Sequence, residues 1–293
     1  MHITILEGGD TEREVSILSA KAIKKSLMNL GHKVEVIDTK GTKFLDKNKL
    51  NTDLVFNALH GGIGENGIIQ SMCEIFQIPY TGSGVLASAL AMNKVFSKRI
   101  FKSCGINVPE GVSGKEVELL NKNYLNFPFI VKPIDGGSSI GIKIIHNPQD
   151  IKGLKLSNKE VILEPFIEGR EVSVAIFNKK ILGMIEIKFS QKMYDYEAKY
   201  SNTNTKYTFP IDIDNDVCNQ IYDFAIKAHD SLGCKGLTRA DFRLDTNNNL
   251  KPYILEINTL PGLTEHSLVP KIAKNAGISF DKLISMIIED ALN

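Results

Sequence analysis

The sequence of 293 residues contains no tryptophan, only four cysteines and no surplus of charge of either sign. The cysteines lie far apart along the chain, with no Cys-x-x-Cys pair and no histidine at ligand spacing. This distribution argues against a disulfide framework or a zinc site and favours buried thiols in a reducing compartment.

Charge and hydropathy limit the partners further. Lysine and arginine number 35 against 34 for aspartate and glutamate, so there is no positive field to hold a polyanionic backbone, and we expect no nucleic-acid partner. No apolar stretch approaches the roughly 20 residues that span a bilayer, and the first seven residues lack a basic segment followed by an apolar run. We therefore expect a cytoplasmic protein with no membrane partner.

The pattern of apolar residues predicts an α/β (α+β) protein. In the first third, strands near 2–6, 34–38 and 53–57 alternate with helices over 15–30 and 68–76, which predicts a parallel sheet covered on both faces. A hairpin is predicted around the Gly-Ser loop 136–141, and strands predominate from residue 161. Three more helices are predicted over 93–101, 217–232 and 280–292. The polar segment 190–207 interrupts the strands, and a long loop of this kind usually has a function.

Two adjacent late strands carry the sharpest chemical pattern. Arg239 and Asp241 alternate on one strand, and Glu256 and Asn258 alternate on the next. Side chains two residues apart share a sheet face, so all four can converge on one place. Two carboxylates and an amide suit a hard cation such as Mg²⁺ that shares its ligands with phosphate. The alternative is an exposed salt-bridged ladder, which the apolar flanks disfavour.

A second pattern suits phosphate binding. Lys132 ends an apolar strand, and Ser138 follows in a glycine-rich loop whose backbone N–H groups could surround phosphate oxygens. The loop matches neither G-x-x-x-x-G-K-[ST] nor G-x-G-x-x-G, and a plain hairpin turn is the alternative. Lys94, taken alone, is typical of a solvated helix residue.

Four further positions each have two readings. Glu164 and Glu171 flank a glycine turn and suit ribose hydroxyls or a charged surface hairpin equally. Glu12 either contributes to a site or is a first-turn glutamate that favours the helix dipole. His60 either lines a site or packs in a loop, with packing slightly favoured. The N–H of Gly262 lies beside the Glu256 strand end, where it could stabilise an oxyanion.

Seven motifs in order along nearly the whole chain resemble the D-alanine–D-alanine ligase family of the ATP-grasp superfamily. They lie at 12–16, 60–61, 92–94, 131–133 with 137–141, 194–200, 239–241, and 256–264 with 266–267. The resemblance implies an N-terminal Rossmann-like domain (1–86), a central ATP-grasp domain (87–167) and a C-terminal ATP-grasp domain (168–293). It also implies ATP-dependent ligation of two D-alanine molecules through D-alanyl phosphate, for peptidoglycan precursors.

The resemblance assigns roles position by position. Phosphates of ATP would meet Lys94, Lys132 and Lys199, and the adenine and ribose would meet Glu164, Pro165, Ile167 and Glu171. Two Mg²⁺ ions, which Mn²⁺ could replace, would bind Asp241, Glu256 and Asn258. The amino-acid substrates would meet Glu12, His60, Ser267 and Leu268, with Ser138 and Tyr200 bonded to Glu12 and with Arg239 and Gly262 at the oxyanion.

The resemblance leaves alternatives open. Met193 stands where relatives often carry an aromatic residue near adenine, which leaves the stacking contact open. The second substrate could be D-lactate or D-serine, although Lys199 and Tyr200 resemble the dipeptide-forming type. A non-catalytic nucleotide-binding regulator is the other alternative, which the intact Lys132, Arg239 and metal ligands oppose. The segment 190–207 would be a lid over the site, and a homodimer is compatible with the resemblance.

Overall fold

The computed structural model describes residues 1–40, 50–122, 124–152, 154, 156–188 and 205–293. The predicted parallel sheet is confirmed at the N-terminus. It consists of β1 (His2–Glu7), β2 (Lys33–Asp38) and β3 (Leu54–Asn57), in the order β2-β1-β3, with α1 (Arg13–Asn29) and α2 (Ile68–Phe76) beside it. Ile3 and Ile5 pack into one core, whereas Leu6 and Val55 pack into another with Ile69 of α2. Both faces of the sheet are therefore covered.

A four-stranded antiparallel sheet follows in the order β4-β7-β5-β6. Its elements are β4 (Val112–Lys115), α5 (Glu116–Leu120), β5 (Phe129–Pro133), β6 (Lys143–Ile145), α6 (Pro148–Lys152) and β7 (Glu160–Pro165). Phe129, Val131 and Leu163 form its core. The predicted hairpin is confirmed as β5 and β6, which are joined by the Gly-Ser loop.

The third sheet has five antiparallel strands in the order β10-β9-β8-β11-β12. These are β8 (Gly169–Phe177), β9 (Lys180–Lys188), β10 (Lys206–Thr208), β11 (Leu237–Asp245) and β12 (Lys251–Asn258). Five helices accompany the sheet: α3 (Val85–Met92), α4 (Lys94–Ser103), α7 (Asn215–Ser231), α8 (Leu268–Asn275) and α9 (Phe280–Ala291). Val174 and Phe242 share a core with Phe101 of α4 and Phe224 of α7.

The opposite face of this sheet packs into the core of the N-terminal sheet. Ala175 and Ile185 share one cluster with Val269 of α8, Leu283 of α9 and Ile5 of β1. The N-terminal unit is therefore fixed on the C-terminal sheet by a continuous apolar core, and residues from both ends of the chain can reach one cleft. Within the described ranges, every helix is too short or too polar to cross a membrane.

Some elements differ from the sequence predictions. The helices α3 and α8 have no predicted counterpart; α8 is eight residues long and follows the predicted loop directly. The polar segment 190–207 lies outside the described residues up to residue 204. Its last residues, Lys206 and Tyr207, open strand β10 and pair with β9, so the loop ends earlier than predicted.

Gly169 at the start of β8 supports a prediction about stability. Its φ is +151°, and a Cβ built there would lie 1.8 Å from the carbonyl oxygen of Leu244 on β11. The backbones are too close for any side chain, so Gly169→Ala should lower the free energy of unfolding by more than about 3 kcal/mol. Gly31→Ala is the matched control, because Gly31 also has a positive φ, of +81°, but nothing lies within 4 Å of its Cβ position.

The control should cost only about 1 kcal/mol, the price of a left-handed backbone alone. Urea unfolding of both variants measures the difference. An equal decrease in the free energy of unfolding in the two variants would contradict this prediction, because the contact with Leu244 would then add nothing to the cost of the substitution.

Candidate active site

A cleft of about 1750 Å³, open to solvent, lies between the two antiparallel sheets and the N-terminal unit. All sixteen predicted site residues in the described part of the chain line it: Glu12, His60, Lys94, Lys132, Ser138, Glu164, Pro165, Ile167, Glu171, Arg239, Asp241, Glu256, Asn258, Gly262, Ser267 and Leu268. Lys199, Tyr200 and Met193 lie outside the described residues.

The predicted metal ligands are neighbours on paired strands. In the register of β11 and β12, Asp241 lies opposite Glu256 and Arg239 lies opposite Asn258, and a bulge follows directly after Asp241. The sequence alternation therefore brings these residues together as predicted. Asn258 also accepts a hydrogen bond of 2.7 Å from the backbone N–H of Leu260, which fixes its amide oxygen.

Arg239 and Asp241 form a two-pronged ion pair. Arg239 donates from Nε to Oδ1 at 2.8 Å and from Nη2 to Oδ2 at 2.7 Å, and the Ser173 hydroxyl donates to the same Oδ1 at 2.6 Å. Both charged side chains are 14% exposed. The pattern thus contains a salt bridge, as the alternative reading required, but the bridge is not on an exposed ladder. A guanidinium held at two points has a fixed plane, which suits an oriented donor.

Lys94 is buried rather than solvated, because of where α4 begins. The Asn93 side chain caps this helix by accepting from the N–H groups of Val95 and Phe96, both at 3.1 Å. The cap places Lys94 first in the helix, 7% exposed, with Nζ bonded to the Gly136 carbonyl and 3.2 Å from Glu256. Lys94 therefore connects the Gly-Ser loop to the carboxylate pair.

Glu164 lies below the cleft in a buried cluster with two lysines. Lys98 of α4 donates to Oε1, and Lys132 of β5 lies 2.9 Å from Oε2. Glu164 is 1% exposed, which argues against the charged surface hairpin, one of its two readings from the sequence. Burial raises the pKa of Glu164, but Lys132 and Lys98 outweigh this and hold it below its usual range. Burial lowers the pKa of Lys98 to about 8 against the attraction of Glu164, so both groups are charged at neutral pH.

Arg243 supports the segment that connects β7 to β8. It donates to the backbone carbonyl of Ile167 at 3.2 Å and to the Glu171 carboxylate at 3.2 Å, and it lies over the Phe166 ring at 5.7 Å. Because one guanidinium contacts all three groups, the backbone beside Glu171 has a fixed position along the cleft wall.

Glu12 and Ser138 meet across the cleft through strained backbone. Ser138 donates its hydroxyl to Glu12 Oε2 although the two residues are 126 positions apart. Glu12, Ser138 and Ser139 all have left-handed φ values, of 46°, 46° and 60°. Such conformations cost about 1–3 kcal/mol each and cluster at functional sites. A Cβ on Gly137 would lie 2.8 Å from Glu12 Oε1, so the loop and the Glu12 carboxylate are in close contact.

The first turn of α8 forms the remaining wall. Ser267 precedes the helix, and its hydroxyl lies 2.7 Å from that of Thr264 and accepts from the Thr264 N–H at 3.1 Å. Gly262 packs beside it, because a Cβ there would lie 2.8 Å from Ser267 Oγ. The N-terminus of a helix attracts anions, so this wall suits a carboxylate.

Comparison with known proteins identifies the family to which this chain belongs. The family model for the D-ala D-ala ligase C-terminus matches residues 101–289, and that for the D-ala D-ala ligase N-terminus matches residues 39–83. The chain belongs to the D-alanine–D-alanine ligase family.

Individual relatives agree with this membership. The D-alanine–D-alanine ligase of Pelagibacter ubique is 45% identical over 302 residues, covering 99% of this chain and 97% of the relative, and that of Wolbachia pipientis wMel is 44% identical over 297 residues, covering 99% and 94%. The structure of D-alanine–D-alanine ligase from Bacillus anthracis complexed with ATP has a TM-score of 0.86 at 30% identity and covers 100% of this chain and 97% of that one. The VanG D-Ala:D-Ser ligase from Enterococcus faecalis has a TM-score of 0.83 at 27% identity and covers 99% of both chains. The resemblance and the fold class are thereby confirmed.

Among the residues with no predicted role are Glu65, Phe166 and Arg243, which line the cleft, and Lys98, which pairs with Glu164. Arg243 continues the alternation of Arg239 and Asp241 by two more residues, a signal that was available in the sequence. Glu65 and Lys98 carry no such signal, because only packing buries them.

His60 and Glu65 are a buried pair without full charge. The His60 ring lies 3.0 Å from the Ser19 hydroxyl and 4.0 Å from Glu65, which accepts from the Gly61 N–H at 2.9 Å. His60 is both packed and on the cleft wall, so its two predicted readings coincide. Burial, and then the charge of Arg239, lowers the pKa of His60 to about 4. Burial raises the pKa of Glu65 to about 7, against the Gly61 hydrogen bond.

The raised pKa of Glu65 predicts a pH-dependent stability. The folded protein favours the protonated carboxyl group, and this preference contributes to the free energy of unfolding. The contribution is present in full below the ordinary pKa of 4.5 and is lost as the pH rises through about 7. Glu65→Gln keeps the acceptor for Gly61 but cannot ionise. The unfolding free energy of Glu65→Gln minus that of the wild type should therefore rise by about 2 kcal/mol between pH 5 and pH 8. Urea titrations at both pH values give this difference, and a flat difference contradicts the burial argument.

Proposed function

We propose that this chain is an ATP-dependent ligase that joins two D-alanine molecules to D-alanyl-D-alanine, through D-alanyl phosphate, and releases ADP and phosphate. The single observation that carries the proposal is the contact of Glu12 with Ser138. It brings an anionic side chain that can hold an amino-acid ammonium against the loop that Lys94 and Lys132 flank. An amino acid and a nucleotide phosphate would thus meet in one cleft.

The first step activates a carboxylate. A carboxylate oxygen of the first D-alanine attacks the γ-phosphorus, and the bond to the β,γ-bridging oxygen breaks as ADP leaves. Lys94 and Lys132 would neutralise the charge on the transferring phosphoryl group. Each has a resident carboxylate partner, Glu256 or Glu164, which holds the ammonium in the cleft before the nucleotide arrives.

The second step forms the peptide bond. The amine of the second D-alanine attacks the acyl carbon, an oxyanion develops, and phosphate leaves when the carbonyl is restored. Arg239 would donate to the oxyanion from a plane that Asp241 fixes, and the N–H of Gly262 would be the second donor. Ser267 and the N-terminus of α8 would hold the carboxylate of this second molecule.

The donor set near Asp241 and Glu256 fits Mg²⁺. Across the described ranges, no three His, Cys, Asp or Glu side chains form a metal-binding group, so the two carboxylates and Asn258 would hold the ion together with phosphate oxygens. A bound Mg²⁺ supplies charge neutralisation and orientation for the phosphates. Glu256 would have to release Lys94, whereas Asp241 would share its carboxylate between Arg239 and the ion.

The wider role is part of the proposal. The product suits peptidoglycan precursor synthesis in the cytoplasm, and the chain would act as a monomer or a homodimer. One observation keeps a second candidate: the fold is shared with a D-Ala:D-Ser ligase, so D-serine is the alternative second substrate.

A substrate panel tests the proposal directly. ADP release and product mass would be measured with Mg-ATP and D-alanine, L-alanine, D-serine or D-lactate, singly and with D-alanine. The proposal expects ADP formation and a D-alanyl-D-alanine product with D-alanine alone. A product that forms only with D-serine or D-lactate would favour the alternative ligase, and nucleotide binding without ADP release would favour a non-catalytic regulator.

The metal assignment predicts the effect of Glu256→Gln. The change removes one of two charges that would hold the cation, so turnover should fall by at least about 100-fold while the fold survives, since the Glu256 side chain is 31% exposed. Glu118→Gln, at an exposed position on α5, is the control and should retain wild-type turnover. Wild-type turnover of Glu256→Gln at limiting Mg²⁺ would remove Glu256 from the metal site.

A further inference from the structure

Lys98 belongs to none of the motifs that resemble the ligase family, yet it is among the most buried charges of the site. Its side chain is 5% exposed, and it donates to Oε1 of Glu164, 66 residues away. Lys98 follows Lys94 by one helical turn, so both lysines lie on the face of α4 that meets the cleft. Lys94 contacts Glu256 and the Gly-Ser loop, whereas Lys98 pairs with the carboxylate of Glu164.

The cluster of Lys98, Lys132 and Glu164 contains two cations and one carboxylate. Glu164 is a single negative charge between Lys98 and Lys132. Under the proposed function Lys132 turns to the phosphates of ATP, and Glu164 would then be left as a buried carboxylate. A carboxylate that is 1% exposed keeps its charge only with a partner at hand, and Lys98 is that partner.

The two oxygens of Glu164 have different surroundings. Oε1 accepts from Lys98, whereas Oε2 has the Lys132 ammonium 2.9 Å away and, in the described part of the chain, no other donor bonded to it. When Lys132 turns to the phosphates, Oε2 is left to accept from a ligand. Glu164 lines the cleft beside Pro165 and Ile167. A buried carboxylate oxygen in this position accepts an N–H donor from a ligand and rejects a ligand that presents nothing there.

We propose that Lys98 is a positioning residue for base selection: it holds the Glu164 carboxylate so that Oε2 accepts a hydrogen bond from the exocyclic amino group of adenine. The inference rests on the proposed function for the placement of ATP in this cleft. Lys98 itself touches neither nucleotide nor amino acid, and it acts only through Glu164.

The test compares two nucleotides that differ only in the group concerned. Purine riboside 5′-triphosphate lacks the amino group of ATP, so the ratio of kcat/KM for ATP to that for the analogue isolates its contribution. We expect Lys98→Met to lower this ratio by on the order of tenfold, the lower range for a hydrogen bond to a charged group. Glu164→Gln should lower it similarly, and the double variant should lower it no further. Lys98→Arg, which retains a charged donor, should recover most of the preference.

Lys102→Met is the matched control. Lys102 is one further turn along α4, its side chain is 62% exposed, and it pairs with Glu110 on the surface. The ratio of kcat/KM for ATP to that for the analogue should be the same in Lys102→Met as in the wild type. Lys98→Gln is made in parallel, so that the ratio can still be read if Lys98→Met does not fold.

The outcomes separate this inference from the proposed function. No D-alanine-dependent ADP release by the wild type would overturn the proposed function. The other outcome is an active wild type and a folded Lys98 variant that has the same nucleotide ratio as the wild type, with kcat/KM reduced equally for both nucleotides. That result would overturn the role of Lys98 alone and leave it a structural counter-ion.

Discussion

The pairing of buried charges is the constraint on which this site depends. Three groups are withdrawn from water: Lys132 and Lys98 with Glu164, Arg239 with Asp241, and Arg243 with Glu171. The buried Lys94 pairs with Glu256, which is 31% exposed. Removing one partner of a buried pair costs about 3–5 kcal/mol, because the other charge is left uncompensated. The protein therefore orients these charged side chains by pairing them with one another. Nucleotide, metal and amino acid would enter by exchanging these partners rather than by meeting bare charges.

Close approach of the backbone is the second requirement. Glu12 and Ser138 are 126 residues apart in the chain. They meet where Gly137 lies close to the Glu12 carboxylate and where Glu12, Ser138 and Ser139 have a left-handed backbone. The continuous core between β1, the five-stranded sheet and the last two helices stabilises this arrangement. The apolar packing that joins the two ends of the chain thus offsets the cost of the strained backbone at the site.

The parts that the sequence predicted are those set by local periodicity. Arg239, Asp241, Glu256 and Asn258 alternate on two strands that follow each other in the chain, so a period of two residues was enough to place them together. The parallel sheet followed from the same reasoning. The roles came from the family resemblance, since no spacing rule relates Ser267 or Lys132 to D-alanine or ATP.

The parts that could not be predicted depend on packing between distant segments. Lys94 taken alone looked solvated and Glu164 had two equal readings, because nothing in their local sequence indicates that α4 and β7 enclose them. The helix-dipole reading of Glu12 was incomplete, since its carboxylate makes no cap bond and accepts from Ser138 instead. Helix α8 is short, and its signals, Ser267 before its first turn and Pro270 within it, are weak until the loop before it has a position.

Exchange of ion-pair partners can be measured directly in a crystal structure of the protein with Mg²⁺ and a non-hydrolysable ATP analogue. In the structure described above, Lys94 Nζ lies 3.2 Å from Glu256 Oε2. The account predicts that this contact breaks, with Lys94 turned to a phosphate oxygen and Glu256 to the metal, while the Lys98 contact with Glu164 remains. A complex with nucleotide and metal in the cleft and the pair of Lys94 and Glu256 still closed would contradict it.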